Sequence, residues 1–303
     1  MAFSKGDFMD YTDCRLCPRN CRVDRRSNKG FCGETADLRI ARAALHFWEE
    51  PCISGKNGSG TVFFVGCNLR CCFCQNSVIS TGNAGATVST ERLSEIFLEL
   101  QEKGAENINL VTPTHFVLHI IEAIKLAKNR GLRLPIVYNC GGYESVEALK
   151  LLDGYVDIYL PDFKYYDERF AVKYSNAPSY KEIAEKAIEE MVRQVGKPQF
   201  DERGMMVKGV IVRHLCLPTL SDDSKRVLKF LHRTFGNDIY LSIMSQYTPT
   251  DFCRCEELKK TLDREDYNDI LDYCEAIGIE QGFTQEEGCE KESFIPPFDL
   301  TGI

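Results

Sequence analysis

Cys67, Cys71 and Cys74 stand in the run Val65-Gly-Cys-Asn-Leu-Arg-Cys-Cys-Phe-Cys-Gln75, spaced C-x3-C-x2-C, directly after the apolar residues 61–65. Three thiolates crowded into one loop at the end of a strand can hold three irons of a [4Fe–4S] cube. No fourth ligand completes the set close by, so one iron is left open to a small molecule. Cys72, between two of the ligands, reads as a packed or idle thiol.

A second group, Cys14-x2-Cys17-x3-Cys21-x10-Cys32, lies in a segment with too few apolar residues for a core of its own. Four thiolates there call for a structural metal. Tetrahedral Zn2+ and an auxiliary [4Fe–4S] cluster both take four sulfurs, and the spacing does not separate them; the lack of an evident electron path inclines the reading toward zinc. Cys253 and Cys255 form C-x-C, which with Cys274 and Cys289 is a weaker metal candidate because the spacings are long and Cys274 sits on a helical apolar stripe. His115 and His119 are four apart, a ligand spacing, but no carboxylate completes a set. His115 follows a strand and is expected to face the pocket, His119 to pack. His46, Glu49 and Glu50 precede Pro51, where a solvated turn is the default and a role beside substrate the alternative.

The elements that must position these groups can be read from periodicity. Residues 61–66, 107–112, 134–139, 156–160, 207–213 and 239–243 are continuous apolar runs, the pattern of strands buried on both faces. Between them lie stripes at helical spacing: Leu93, Ile96, Phe97 and Leu100; Val117, Ile120, Ile121 and Ile124; Ala184, Ala187, Ile188 and Met191; Tyr267, Ile270, Leu271 and Cys274. Gly104, Gly131, Gly196, Gly236 and Gly278 fall where these helices should stop. Six strand–helix units imply an α/β fold with parallel strands. Both candidate architectures, a partial (β/α)6 TIM-like barrel and an open doubly wound sheet, gather ligands at the carboxyl ends of the strands. Residues 1–60, with the cysteine group and a Gly/Ser-rich linker at 54–60, read as a small Cys-rich metal-binding lobe leading into a partial barrel with a C-terminal extension over 61–303.

Composition narrows the class. A formal charge of −8 with no dense basic stripe argues against nucleic acid as the main partner. The start, MAFSKGDFMD, lacks the apolar core of a signal peptide, and no stretch approaches a membrane span. A cytoplasmic protein is therefore expected, whose fifteen cysteines stay reduced and serve metals in place of disulfides.

The C-x3-C-x2-C spacing with the aromatic Phe73 resembles that of radical SAM enzymes, and the likeness favours the partial barrel. Further strand-end motifs resemble the glycyl-radical-enzyme activases, particularly the pyruvate formate-lyase activating type. Tyr138-Asn-Cys-Gly-Gly-Tyr143 looks like the activase third-strand end that lines the S-adenosylmethionine pocket. Leu160-Pro-Asp-Phe-Lys164 is similar to its D-x-K motif, which falls on Asp162 and Lys164. Arg213-His-Leu-Cys-Leu-Pro218 with Ser221-Asp-Asp223 resembles the fifth-strand R-x4-P and the acidic pair after it. The family's Gly-Gly-Glu, which binds the amine of the cofactor, is replaced by Thr112-Pro-Thr-His115, so Thr112 and Thr114 would make that contact by hydroxyl or backbone carbonyl. The likeness covers nearly the whole chain.

The resemblance implies that Cys67, Cys71 and Cys74 hold the catalytic cluster and that Phe73 packs beside the adenine. Thr112, Thr114, Asn139, Asp162, Lys164 and Arg213 would line the cofactor pocket. A Lys or Arg suits the carboxylate of the cofactor, and Asp or Asn its amine and ribose hydroxyls. The implied reaction is reductive cleavage of S-adenosylmethionine to a 5′-deoxyadenosyl radical, which abstracts hydrogen from a protein partner at a glycyl Cα. The electron would come from a flavodoxin- or ferredoxin-type donor, since such clusters sit on the order of −400 mV or lower. The nearest alternative is radical SAM modification of a small molecule or another peptide. The alternative of another class is a non-catalytic Fe–S or zinc electron carrier or binding protein, which would bind no S-adenosylmethionine.

Overall fold

The structure, a computed structural model, describes residues 10–82, 84–286 and 294–303. Its elements run β1 (Arg39–His46), α1 (Pro51–Ser54), β2 (Ser59–Phe64), α2 (Ser77–Ser80), β3 (Ala86–Thr87), α3 (Thr90–Glu102), β4 (Ile108–Val111), α4 (Val117–Asn129), β5 (Ile136–Cys140) and α5 (Val146–Leu151). They continue as β6 (Ile158–Pro161), α6 (Glu168–Ser175), α7 (Tyr180–Val195), β7 (Gln199–Phe200), β8 (Met206–Leu215), α8 (Ser221–Phe235), β9 (Tyr240–Met244), α9 (Arg264–Ala276) and β10 (Gly282–Thr284).

The strands lie in the order β10-β9-β8-β6-β5-β4-β2-β1-β3, with β7 on β8. From β2 to β10 the main path is parallel, each step joined through helices, while β1 runs antiparallel beside β2. The sheet has two ends and does not close, which is the partial α/β barrel expected. The six strands read from the sequence are β2, β4, β5, β6, β8 and β9. A further parallel strand, β10, adds only three residues and is too short to announce itself by pattern. The Cys-rich segment is also tied into the sheet, because β1 registers Ile40 against Phe64 and His46 against Ser59. The chain's last residues run along β1's other side, with Ala43 N–H donating to the Thr301 carbonyl at 2.8 Å and Phe298 edge-on to Phe63.

The helical stripes meet the outer face of the sheet. Leu93, Ile96, Phe97 and Leu100 of α3 are at most 1% exposed, and burial of side chains this size contributes roughly 1.5–3 kcal/mol each. Inside the barrel, Val137, Ile158, Leu160 and Ile211 pack with Cys52 and Ile53 of α1. Because β1 ends opposite the first residue of β2, α1 lies at the amino-terminal end of the parallel strands and forms an apolar floor. Side chains alternate with period two along a strand, so Asn139 stands above Val137 and Arg213 above Ile211. Among the described residues no helix is long and apolar enough to cross a membrane.

Candidate functional site

The loop that follows β2 leaves the sheet at Gly66, whose φ of +86° and close neighbours suit only glycine: a Cβ there would lie 2.5 Å from Glu34 Cγ and 2.8 Å from the Cys32 carbonyl oxygen. The next residue, Cys67, donates its N–H to that same carbonyl at 3.2 Å. Arg70 and Cys72 donate their N–H groups to the Ser175 and Tyr174 carbonyls at the end of α6. Cys71 Sγ accepts from Ser175 Oγ at 3.0 Å, and Cys67 Sγ accepts from the Leu69 N–H at 3.4 Å. Burial first, and then the neighbouring Cys71 and Cys74, push the Cys67 thiol up; burial raises Cys74 to about 11. No three of these sulfurs fall within 4.8 Å of one another. That spread suits separate irons, since a single tetrahedral ion with bonds of about 2.3 Å needs sulfurs about 3.8 Å apart. Phe73 is buried and makes a T-shaped pair with Tyr247, the ring centroids 6.0 Å apart.

Beside the loop, the carboxyl ends of β5, β6 and β8 bring a charged node into the barrel. Asp162 follows β6 and bridges to Arg213 of β8. Lys164 Nζ reaches Asp162 Oδ2 at 2.5 Å, and Arg213 Nε reaches Oδ1 at 2.9 Å. The same guanidinium donates to Asn139 Oδ1 at 2.6 Å and to Glu49 Oε2 at 3.2 Å. Burial opposes each charge, but the partners outweigh it. Arg213 and Lys164 hold Asp162 below its ordinary pKa; Asp162, then Cys71, lifts Lys164 to about 12, while Asp162, Glu49 and Glu50 lift Arg213. Lys164 and Leu69 of the cysteine loop both border Gly141, where a Cβ would lie 3.9 Å from Lys164 Cε and 2.8 Å from Leu69 Cδ1, and the cation acts on the Cys67 and Cys74 thiols through its charge.

The resemblance placed Asn139, Asp162, Lys164 and Arg213 in one pocket, and these four side chains lie together in the structure. A carboxylate not expected from the sequence completes them. The turn at Glu49 and Glu50 is buried, not solvated: Glu49 Oε1 accepts from Asn109 at 2.9 Å and from Asn139 at 3.2 Å. Glu50 is buried beside it, and burial raises its pKa. Asn109 was the available signal, a polar residue inside the apolar strand Ile108-Asn-Leu-Val111. Among the described residues its Oδ1 is buried without a partner, an acceptor left over in the barrel.

Two expected residues sit differently. His115 does not face the node: its Nε2 meets the Val65 carbonyl at 2.7 Å, and burial, reinforced by Arg25, lowers its pKa to about 3. It is a neutral tether for the end of β2. The Thr114 hydroxyl donates to Glu144 Oε1 at 2.8 Å, so it is already engaged. Thr112, in the left-handed region at φ +59°, donates its N–H to the Asn139 carbonyl at 2.8 Å. His119 packs as expected, stacked on Tyr11. Asp223, of the acidic pair, accepts the Tyr166 and Asp167 N–H groups at 3.0 Å and so braces the segment after Lys164.

The N-terminal thiols share one knot of loops: Cys14 exchanges backbone bonds with Val23 and Arg22, and Cys21 Sγ accepts from the Phe31 N–H at 3.3 Å. No three of the sulfurs of Cys14, Cys17, Cys21 and Cys32 lie within 4.8 Å of one another, wider than one zinc requires.

Over 252 residues the chain is 28% identical to an uncharacterized protein of Methanocaldococcus jannaschii, covering 79% of this chain and 67% of that protein. Over 193 residues it is 27% identical to a pyruvate formate-lyase-activating enzyme of Clostridium pasteurianum, covering 58% and 69% respectively. Among solved structures, Streptococcus suis SuiB bound to precursor peptide SuiA matches with a TM-score of 0.51 at 12% identity, over 74% of this chain and 47% of that one, which is a likeness of fold. The chain thus spans about half the length of that structure. The family model of the Radical SAM superfamily matches residues 61–231, from β2 into α8 and so more than half of the sequence, and the chain belongs to that superfamily.

Proposed function

We propose that this chain is an activase-like radical SAM enzyme that takes a hydrogen atom from a protein partner at a glycyl Cα. One observation carries the reading: the Cys67, Cys71 and Cys74 loop and the node of Asp162, Lys164 and Arg213 stand at the same end of the barrel, where Lys164 and Leu69 of that loop both border Gly141. The donor set fits an iron–sulfur cluster, being all thiol and spread wider than a single ion needs. A [4Fe–4S] cluster held by Cys67, Cys71 and Cys74 would supply the single electron for reductive cleavage of S-adenosylmethionine.

The chain's own residues then bind and orient. Lys164 and Arg213 hold the carboxylate of the cofactor, and Asp162 and Asn139 meet its amine and ribose hydroxyls. Phe73 walls the adenine side. The engaged Thr114 hydroxyl leaves the amine contact that activases make through Gly-Gly-Glu to the backbone around Thr112. The floor of α1 with Val137, Ile158 and Ile211 excludes water from below. Cys14, Cys17, Cys21 and Cys32 take a second metal, their spread favouring an auxiliary cluster over the zinc expected from the sequence, and Cys32 abuts the catalytic loop through its carbonyl. A flavodoxin or ferredoxin delivers the electron, and the cytoplasm keeps the thiols reduced. Similarity to the Clostridium pasteurianum activating enzyme favours a protein substrate.

Reconstituted protein, incubated anaerobically with dithionite and S-adenosylmethionine, is expected to release 5′-deoxyadenosine. Cys67→Ala, Cys71→Ala and Cys74→Ala should each abolish it. Undiminished product in these variants would remove the ligand assignment, and absence of S-adenosylmethionine binding by the parent protein would leave an electron carrier. Deuterium appearing in 5′-deoxyadenosine from a glycine-labelled partner proteome identifies the substrate class; transfer from small metabolites alone would reject the protein substrate.

A further inference from the structure

Three thiols outside the cluster set converge from distant parts of the chain. Cys72 Sγ lies 3.8 Å from Cys253 Sγ and 3.9 Å from Cys255 Sγ, and the three sulfurs all lie within 4.8 Å of one another. A disulfide needs about 2.0 Å, so these are separate thiols. Their spacing is that of ligands on one ion: zinc bonds of about 2.3 Å in a tetrahedron set sulfurs about 3.8 Å apart. Neither Cys71 nor Cys74 joins the group, so the set is distinct from the catalytic triad.

We propose that Cys72, Cys253 and Cys255 form a three-thiolate site for a single zinc ion, which staples the catalytic loop to the loop after β9. The three thiols release their protons as the ion binds, so the site forms with zinc alone and needs no oxidant or reductant. Both loops of the site are already held in place. Cys72 donates its N–H to the Tyr174 carbonyl at 2.8 Å, the Leu258 N–H donates to the Cys255 carbonyl at 3.0 Å, and Tyr247 OH donates to the Leu258 carbonyl at 2.6 Å. Tyr247 is also the ring against Phe73, so the staple fixes the aromatic wall of the cofactor pocket as well as the loop. Cys253 is 2% exposed, while Cys72 and Cys255 are partly exposed. Among the described residues no fourth His, Cys, Asp or Glu completes the set. The fourth position therefore falls to water, as in zinc sites that exchange a ligand. Cys274, a candidate partner on sequence grounds, stands apart on α9; Cys289 lies outside the described residues.

The test uses the full-length chain purified without oxygen, with zinc and iron measured per chain in the parent, Cys253→Ser, Cys255→Ser and Cys274→Ser. The first two variants should each lose one zinc relative to the parent with iron unchanged, and Cys274→Ser should lose none. Should the variants fold poorly, alkylation of the parent gives an independent answer. Cys72 and Cys255 should react slowly until a zinc chelator is added, then react together at least tenfold faster. Zinc content unchanged in Cys253→Ser and Cys255→Ser, iron lost in its place, or alkylation indifferent to chelator would overturn the site.

Discussion

Glu144 offers a sharp test of the structure because, among the described residues, no cation pairs with it. The carboxyl is buried between two hydroxyls, with Thr114 Oγ1 donating to Oε1 at 2.8 Å and Tyr138 OH to Oε2 at 3.2 Å. Burial raises its pKa from 4.5 to about 8, and Thr114, Tyr138 and Cys140 offset this only in part. Between those values the native protein keeps a proton that the unfolded chain has released. Stability therefore falls as pH rises through this window, by up to about 1.4 kcal/mol per unit for this group. At pH 7 the accumulated loss is about 3 kcal/mol, and at pH 8 about 4 kcal/mol. Glu144→Gln keeps the shape and carries no charge, and both hydroxyls can donate to its oxygen or accept from its nitrogen. The variant should match the parent near pH 5 and exceed it increasingly above. Urea unfolding of both proteins at pH 5, 6, 7 and 8, at equal metal loading, measures the difference, in which all shared titrations cancel. A difference that stays constant across this range, or widens toward acid, would show that Glu144 is not held as a buried neutral acid.

Arg213→Lys keeps a cation but gives up the fork that joins Asp162, Asn139 and Glu49. Losing one such charge-assisted bond costs about 1.5–3 kcal/mol, so S-adenosylmethionine should bind at least about tenfold more weakly by calorimetry with cluster iron unchanged; unaltered affinity would remove Arg213 from the pocket. Asp223→Ala leaves the Tyr166 and Asp167 N–H groups unpaired, and thermal unfolding should register a loss of about 1–3 kcal/mol. Gly142→Ala and Gly104→Ala both place a side chain at positive φ, but only at Gly142 would the Cβ strike backbone, 2.1 Å from the Asp162 carbonyl oxygen, while nothing lies within 4 Å at Gly104. Unfolding should show about 1 kcal/mol lost at Gly104 and several times that at Gly142; equal losses would contradict the close approach of the β5 and β6 ends.

The parallel strands were legible because burial on both faces makes them continuous apolar runs, and α3, α4, α7 and α9 because their stripes repeat at helical period. β1 was not. Its sequence, Arg39-Ile-Ala-Arg-Ala-Ala-Leu-His46, carries two arginines and becomes a strand by pairing with β2. The same divide between local and distant information governs the site. Cys67, Cys71 and Cys74 share one short loop, and Asp162 and Lys164 lie two residues apart, so spacing alone groups them. Glu49 meets Arg213 across 164 positions, and Cys72 meets Cys253 across 181. No pattern within a window links such pairs; only the curling of the open sheet does. His115 was misplaced for a related reason, since a histidine after a strand has the same sequence signature whether it lines a pocket or ties down a carbonyl.

Period two explains why the charged node can exist where it does. Val137 and Ile211 face the barrel one step below Asn139 and Arg213, and with α1 they make a dry floor. A charge above such a floor is poorly hydrated, so Arg213 and Lys164 are retained only because Asp162 and Glu49 answer them at hydrogen-bond distance. The same poor hydration strengthens any interaction the node makes with an incoming carboxylate or amine. Glu49 thus belongs to the site's electrostatics although it arrives from the N-terminal segment: it balances the guanidinium from below and leaves Asp162 shared between Arg213 and Lys164. Shortening Glu49 to Asp would withdraw that balance without changing the charge count, so the node's affinity for ligand depends on the reach of a side chain that stands outside the barrel strands.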